Sequence, residues 1–306
     1  MIRLAIGLFW PLPGPILATA TFALAACGSG AGSLMDGGVA IDGGAVTDGG
    51  GAQCALVANT TSSGSASPSG CARLTRDTSG CEAARIAAGL SGTWLKFSCR
   101  VALSKSASVV TAISDGQPDT RSNYFATTNA CWESYTAAVQ NPNLIGVSAY
   151  SLSFPITPTA SAEAMRGGVV GLALNGVTIF GNFAGPGDDI FNEAATFDRC
   201  GAHPQQSGTY HYHGEPYAIS YDDSRFIGVM RDAYPIYGRK DPDGSTPTLD
   251  SAGGHTGVTE DSPNVGVYHY HLNEQTSVGP RTAGQKQYFL TKGTYHGTPG
   301  ACTGCN

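Results

Sequence analysis

Charged side chains are scarce in this sequence. They account for 13% of its 306 residues, against roughly 25% in a typical soluble domain. Lysine and arginine together number 17, and the formal net charge is -6. The chain therefore lacks the dense basic surface that binding to a phosphate backbone requires, which argues against nucleic acid as a partner.

Two enzyme signatures and long apolar runs are also missing. The sequence has no Gly-x-Ser-x-Gly elbow and no glycine-rich phosphate loop, so it gives no support to a serine hydrolase or a nucleotide-binding protein. After residue 26, no stretch approaches the roughly 18 to 20 apolar residues that a membrane-spanning helix needs. Any attachment to a membrane is therefore expected to depend on a lipid.

Glycine, by contrast, is abundant. The 42 glycines are about twice the usual share, and a hydrophobic fraction of 41% is enough for a real core. Together with the low charge, this composition favours a mainly β, turn-rich exported protein over a helical one.

The N-terminus resembles a bacterial export signal. Residues 1–26 contain one arginine near the start and an apolar second half that ends in small residues. The segment Leu24-Ala25-Ala26-Cys27-Gly28-Ser29 looks like a lipobox, in which Cys27 would be lipidated and become the first residue of the mature chain. Ordinary cleavage after one of the two preceding alanines is the alternative. Both interpretations predict export.

We therefore expect a periplasmic or cell-surface lipoprotein, held to the outer or cytoplasmic membrane by the lipid on Cys27. Residues 27–53 follow as a glycine- and aspartate-rich segment with three Asp-Gly-Gly copies. Three short copies without regular apolar positions cannot build a calcium-binding β-roll, so this segment is predicted to be a flexible linker.

Eight cysteines follow the linker, and an even number in an exported chain predicts disulfides. They are Cys54, Cys71, Cys81, Cys99, Cys131, Cys200, Cys302 and Cys305. Five of them precede residue 150 and three follow it. Because both numbers are odd, complete pairing requires at least one bridge between the two regions. Residues 54–306 are therefore predicted to form a single, disulfide-stapled domain. For Cys302 and Cys305, a structural bridge is favoured over a redox pair, because no helix start is present to activate a thiol.

The pattern of apolar residues predicts mainly antiparallel strands. Residues 93–104 and 150–156 alternate between apolar and polar side chains, as half-buried strands do. Residues 169–180 predict a hairpin, with Asn175-Gly176 as a type I′ turn. Residues 81–90 predict one short helix.

The C-terminal half contains an internal duplication, with repeats at residues 169–213 and 227–271. Three elements recur in the same order. They are residues 171–181 with 228–238, Asp198-x-x-Gly201-x-His203 with Asp250-x-x-Gly253-x-His255, and Tyr210-His211-Tyr212-His213 with Tyr268-His269-Tyr270-His271. Two structural repeats related by a pseudo-two-fold axis are expected.

The twin Tyr-His-Tyr-His segments, each preceded by a Gly-x-His element, resemble the YHYH protein family. The resemblance covers about residues 109–272 and includes Asn141-Pro142-Asn143, Leu174-Asn175-Gly176 and Ile236-Tyr237-Gly238. The second hairpin departs from the family pattern, since Asp232-Ala233 stands where Asp-Gly is usual. The resemblance implies no established reaction, so function is argued from the side chains.

Each Tyr-His-Tyr-His segment is expected to place two imidazoles on one face of a strand and two tyrosines on the other. An imidazole pair of this kind can bind one metal ion at about 2.0 to 2.1 Å, and a third histidine from a loop completes a three-nitrogen site. The expected metal ligands are His203, His211 and His213 in the first repeat and His255, His269 and His271 in the second. They form either two equivalent triads or one shared cluster, and zinc and copper are both suited to imidazole ligands.

Other polar residues are candidates for supporting the metal ligands. They are Asp198, Asp250, Glu215, Tyr210, Tyr212, Tyr268 and Tyr270. Glu215 is also a candidate general base beside a metal-bound water. Two clusters of residues offer oxygen ligands for calcium. The first consists of Asp188, Asp189, Asn192 and Glu193, and the second consists of Asp241, Asp243 and Asp250. Neither matches an EF-hand loop, and turn and capping roles are favoured.

Three functions follow from these residues. The first is an exported protein that binds copper or zinc, and the second is a metal-dependent or Tyr/His-based hydrolase or lyase acting on an external polymer. The third is a structural module in which the histidines only form hydrogen bonds. A metal-handling protein would saturate its metal ligands, whereas an enzyme must leave one coordination position for water or substrate.

Overall fold

The computed structural model describes residues 70–71, 77–185, 188–220 and 223–305. All of them belong to one compact unit, Thr47–Asn306. The predicted signal peptide (1–26) and linker (27–53), together with Cys27 and Cys54, lie outside the described residues.

Strands predominate among the described residues, as the composition predicted. They are β1 (Ala102–Lys105), β2 (Val109–Ser114), β3 (Tyr150–Pro155), β4 (Val169–Ala173), β5 (Thr178–Phe180), β6 (Ala202–Pro204), β7 (Tyr210–Tyr212), β8 (Phe226–Met230), β9 (Pro235–Tyr237), β10 (Gly254–Thr259), β11 (Ser262–His271), β12 (Asn273–Thr276), β13 (Lys286–Phe289) and β14 (Cys302–Thr303). The helices are short: α1 (Glu82–Ala87), α2 (Ile190–Ala194), α3 (Tyr217–Ser220) and a 3₁₀ helix (Gly92–Lys96). The fold is therefore mainly β, and α1 confirms the predicted helix.

A four-stranded antiparallel sheet has the order β1-β2-β3-β14. On β3, Tyr150, Leu152 and Phe154 are buried and alternate with partly exposed residues, which confirms the predicted strand. Across the sheet, Val110 lies opposite Phe154 and Ala112 lies opposite Leu152. The apolar face that results belongs to one hydrophobic core shared with a larger sheet.

The larger sheet has eight strands in the order β10-β11-β9-β8-β4-β5-β7-β6. This order is symmetric about the contact between β4 and β8, because β5, β7 and β6 on one side correspond to β9, β11 and β10 on the other. The β5–β7 and β9–β11 pairs are parallel and the other pairs are antiparallel, so the sheet is mixed. The strand order agrees with the two predicted repeats, whose superposition stays a prediction.

The hairpin turns differ from the type I′ turn that the sequence predicted. A type I′ turn needs a positive φ at both central residues. Gly176 has a φ of 92°, but Asn175 does not have a positive φ. The Gly176 N–H donates to the Ala173 carbonyl at 2.8 Å, as in a type I turn followed by a bulge. In the β8–β9 hairpin, Ala233 takes the equivalent position with a φ of 69° and donates to Met230.

Residues 93–104 do not form the single strand that their alternation predicted. The segment begins in the 3₁₀ helix Gly92–Lys96 and becomes a strand only at β1. Buried Arg85, on α1, donates hydrogen bonds of 2.5 to 2.8 Å to three carbonyl oxygens of this segment, those of Phe97, Ser98 and Val101. Because the guanidinium satisfies these carbonyls, the segment does not need a neighbouring strand.

Disulfides join Cys71 to Cys200, Cys81 to Cys99 and Cys302 to Cys305, and Cys131 is also disulfide-bonded. The bridge between Cys71 and Cys200 connects the regions before and after residue 150, as the cysteine count required. Disulfides of this kind indicate a protein outside the cytoplasm. None of the helices in the described ranges has the length and apolarity to cross a lipid bilayer.

Candidate metal sites

The tyrosines of the first Tyr-His-Tyr-His segment, on β7, are held by polar side chains. The Tyr210 hydroxyl donates to Asp198 at 2.7 Å. The Asn175 side-chain amide lies 3.2 Å from the hydroxyl of Tyr212 and donates to it. The first tyrosine is therefore bound to the Asp-x-x-Gly-x-His element and the second to the hairpin turn.

The second segment, on β11, repeats this arrangement. The Tyr268 hydroxyl donates to Asp250 at 3.0 Å, and the Tyr270 hydroxyl donates to Asp232 at 2.5 Å. Asp232 occupies the hairpin-turn position that Asn175 occupies in the first repeat. Both segments are thus fixed by the same two kinds of contact, which set the direction of the intervening histidines.

Asp198 and Asp250 also shape the loops that lead to the third histidines. Asp198 accepts two backbone N–H groups of its own loop at 2.9 and 3.2 Å, and Asp250 accepts three at 2.9 to 3.1 Å. The strands that follow place His203 opposite His211 and His255 opposite His269. The aspartates therefore support the ligands by fixing the backbone rather than by contacting an imidazole of either triad.

The first triad consists of three buried histidines whose Nε2 atoms converge. The Nε2 atom of His211 lies 3.0 Å from that of His203 and 3.0 Å from that of His213. In a tetrahedral site with metal–nitrogen distances near 2.05 Å, two ligand nitrogens are about 3.3 Å apart. The spacing of the three nitrogens is therefore close to that of a metal site.

The opposite ring nitrogens determine which tautomer is present. The Nδ1 atom of His211 lies 3.0 Å from the Thr209 carbonyl oxygen, and that of His213 lies 2.6 Å from the Gly181 carbonyl oxygen. A carbonyl oxygen only accepts, so both Nδ1 atoms carry the hydrogen and the neutral rings have bare Nε2 lone pairs. Two lone pairs that face each other at 3.0 Å repel unless a cation lies between them.

A proton is a poor candidate for that cation because burial disfavours a charged imidazole. Burial lowers the pKa of His203 to about 3 and that of His213 to about 4. Burial likewise lowers the pKa of His211 well below its ordinary value, and the neighbouring imidazoles lower it further. At neutral pH the triad therefore presents three neutral nitrogens, the state that a metal ion requires.

The second triad repeats the first and has a carboxylate close to all three of its imidazoles. The Nδ1 atom of His269 lies 2.9 Å from the Val267 carbonyl oxygen, and that of His271 lies 2.7 Å from the Gly238 carbonyl oxygen. Burial lowers the pKa of His269, and it lowers that of His271 to about 4. The carboxylate is that of Asp241, which lies among the converging nitrogens.

Asp241 is close to every histidine of its triad. Its Oδ1 atom lies 3.2 Å from Nε2 of His255 and 3.6 Å from Nε2 of both His269 and His271. His255 Nε2 in turn lies 3.2 Å from His271 Nε2. The four side chains can hold one metal ion, with all four ligand atoms within 4.8 Å of one another.

The histidines form two separate groups among the described residues, so the shared cluster that the sequence left open is wrong. The segments that carry them, β7 and β11, are separated by β5, β4, β8 and β9. Five strand spacings of about 4.8 Å put the two sites about 24 Å apart.

The first triad faces a cleft with a volume of about 420 Å³. Glu193, on α2, lies at this cleft, with its Oε2 atom 3.4 Å from His213 Nε2 and 3.8 Å from His203 Nε2. Its other oxygen accepts the Gly185 N–H at 3.0 Å. The helix that carries Glu193 is capped by Asp189, whose side chain accepts the Phe191 N–H at 3.0 Å.

Glu215 does not lie at either triad. It is buried and forms an ion pair with Arg239, so the prediction that it supports a metal ligand or acts as a base is wrong. Conversely, Asp241 and Glu193 were considered only as calcium ligands or turn residues, and the structure puts one at each triad. Both lie away from the Tyr-His-Tyr-His motif in the sequence, Glu193 on α2 and Asp241 in a loop, and this gave no sign of their place at the triads. Their proximity depends on how the chain returns to the sheet.

Comparison with known proteins identifies one family. The sequence model of a family described as YHYH protein matches residues 151–247, so this chain contains a YHYH domain. The match includes the first triad and both hairpins but ends before His255, and is narrower than the predicted range of 109–272. No curated protein and no solved structure matches the chain.

Proposed function

We propose that this protein binds transition-metal ions, copper or zinc, at the two histidine triads. The observation that carries the proposal is the pairing of bare Nε2 lone pairs, at 3.0 Å between His211 and His213, on rings whose Nδ1–H groups are held by backbone carbonyls. Hydrogen bonds of this type orient the ring and fix the tautomer of histidine ligands in metal sites. The expected occupancy is two ions per chain.

The test is the metal content of protein purified from the periplasm without a polyhistidine tag. The wild type is expected to bind two ions per chain. The single variants His211→Ala and His269→Ala are each expected to bind one ion, and the double variant is expected to bind none. His296→Ala is the matched control, because His296 belongs to neither triad, and it should keep both ions. Metal content that is unchanged in the double variant would overturn the proposal.

The same double variant separates the proposal from a purely structural role. If the histidines only form hydrogen bonds, their removal lowers the melting temperature through unsatisfied partners, and the wild type loses no stability when a chelator is added. If they bind metal, the chelator lowers the melting temperature of the wild type and leaves that of the double variant unchanged.

Catalysis by the tyrosines has less support than metal binding. Burial and the nearby Asp198 raise the pKa of Tyr210 well above its ordinary value, and the Tyr212 hydroxyl is occupied by Asn175. A nucleophilic phenolate is therefore unfavourable at these positions.

We further propose that the protein is exported and anchored by a lipid on Cys27. The disulfides between distant cysteines support an oxidising compartment. Replacing Cys27 with serine is expected to move the protein from the detergent-extracted membrane fraction to the soluble fraction. Equal distribution of the wild type and Cys27→Ser between the two fractions would contradict the lipid anchor.

A further inference from the structure

The two triads differ in what surrounds the converging nitrogens. At the second triad, Oδ1 of Asp241 lies within 3.6 Å of all three Nε2 atoms and completes a set of four ligand atoms. At the first triad, Oε2 of Glu193 lies near only two of the three Nε2 atoms, those of His213 and His203. The group of mutually close ligand atoms there consists of the three histidines without a carboxylate. Four protein ligands close a metal site, whereas three leave a position for another ligand.

The free side of the first triad faces the cleft of about 420 Å³. Two aromatic side chains, Phe180 and Phe183, line it together with several amide side chains. These amides belong to Gln140, Asn141, Asn143 and Gln205. Among the described residues that line the cleft, Glu193 is the one acidic side chain, and lysine and arginine are not represented. For an anion entering this cleft, the lining offers one carboxylate and no basic side chain, so its attraction would come from the metal ion alone.

We infer that the two sites have different roles: the second triad with Asp241 holds a structural metal ion, and the first triad holds a metal ion that binds a neutral ligand from the cleft. The inference rests on the proposed function, since both sites must first bind metal. The ligand is a neutral molecule or chain segment that offers an oxygen or nitrogen lone pair, and it enters a cleft lined by amide side chains and aromatic rings.

Glu193 is a positioning residue for that ligand. Its Oε1 atom is occupied by the Gly185 N–H, while Oε2 points toward the histidines and lies 3.4 Å from His213 Nε2. A hydroxyl group that coordinates the metal can therefore donate its hydrogen to Oε2, whereas an anionic ligand is repelled by the same carboxylate. Glu193 thus offsets part of the attraction that the charge of a metal ion exerts on an anion, and it leaves the binding of a neutral ligand unaffected.

The inference is tested with cobalt(II), whose visible absorption reports its coordination, and with azide and imidazole as an anionic and a neutral probe. His269→Gln leaves cobalt only in the first site, and His211→Gln leaves it only in the second. Both probes are expected to change the cobalt spectrum of His269→Gln. Neither probe is expected to change the cobalt spectrum of His211→Gln. Asp241→Ala, which also weakens the second site, repeats the test if His269→Gln fails to fold.

Glu193→Gln, made in the His269→Gln background, tests the role of the carboxylate. Azide is expected to bind this variant about tenfold more tightly than its parent, since a charge close to the metal is removed, while imidazole affinity stays the same. If azide and imidazole leave the cobalt spectrum of His269→Gln unchanged, the first site is closed and the inference is wrong. If His269→Gln binds no cobalt although it is folded, the proposed metal binding at the first triad is wrong instead.

Discussion

The buried neutral histidines should make the metal-free protein sensitive to acid. Burial lowers the pKa of His203 to about 3 and those of His213 and His271 to about 4, whereas an unfolded histidine titrates near 6.5. Below pH 6.5 the unfolded chain therefore binds more protons than the folded one. The free energy of unfolding must then fall as the pH falls.

The size of the effect follows from these pKa values. Between pH 7.5 and pH 5.5, each of the three histidines removes about 1.4 kcal/mol from the free energy of unfolding, or about 4 kcal/mol together. Asp198 acts in the opposite direction: burial raises its pKa to about 6, so protonation in the folded state restores about 1 kcal/mol. These four groups together give a loss of about 3 kcal/mol, which is a large part of the 5 to 15 kcal/mol typical of a folded protein.

Urea unfolding of chelator-treated protein at pH 7.5 and 5.5 measures this loss. His213→Gln is the matched variant, because it removes one titrating histidine and keeps a polar side chain. Its loss between the two pH values is expected to be about 1.4 kcal/mol smaller than that of the wild type. Equal free energies of unfolding at both pH values, in the wild type and in the variant, would refute the reasoning.

The same pKa values bear on metal binding. The unperturbed histidine pKa suggests that protons displace the metal near pH 6.5. Because burial lowers the pKa of His213 and of His271 to about 4, these two imidazoles stay neutral well below pH 6.5. The affinity of the folded protein for metal should therefore persist below that pH. Release of metal near pH 6.5 while the fold stays intact would show that the imidazoles are more exposed to solvent than in this structure.

Four further predictions concern stability, and each is measured by urea unfolding at pH 7.5. Ala233→Gly should raise the free energy of unfolding by about 1 kcal/mol, because alanine is strained at a φ of 69°. Gly176→Ala, at the equivalent turn, should lower the free energy of unfolding by more than about 1 kcal/mol, since a Cβ there would also meet a hydroxyl at 2.8 Å. If Ala233→Gly and Gly176→Ala change the free energy of unfolding in the same direction, the two turns are not equivalent. Arg85→Met should lower it by about 3 kcal/mol by leaving three carbonyls without a donor, and a change near zero would mean that water replaces the guanidinium. Replacing both Cys71 and Cys200 with serine should lower it by about 5 kcal/mol, because this bridge closes a loop across 129 residues; an unchanged value would show that the bridge does not constrain the unfolded chain.

The elements that sequence predicted well are those whose signal is local. The alternation of residues 150–156 and the helical pattern at 81–90 depend on neighbouring side chains, and both correspond to elements of the fold. The histidine triads also follow from local geometry, since a His-x-His pair on a strand faces one side. The partner strand then brings His203 opposite His211.

The features that sequence missed depend on distant contacts. Arg85 satisfies carbonyl oxygens 12 to 16 residues away, and this overrides the strand pattern of residues 93–104. Asp241, in a loop, and Glu193, on α2, lie at the triads because of a chain course that depends on the whole sheet. Glu215, close to His213 in sequence, pairs with Arg239 instead, so nearness along the chain was a poor guide to nearness at the site.

The separation of the two triads has a consequence for how metal ions load. Two doubly charged ions about 24 Å apart repel each other by about 0.7 kcal/mol in water. At physiological ionic strength the screening length is about 8 Å, which removes nearly all of this repulsion. Binding at one triad should therefore leave the affinity of the other unchanged, and a titration should resolve into two independent steps, each with a Hill coefficient of about 1.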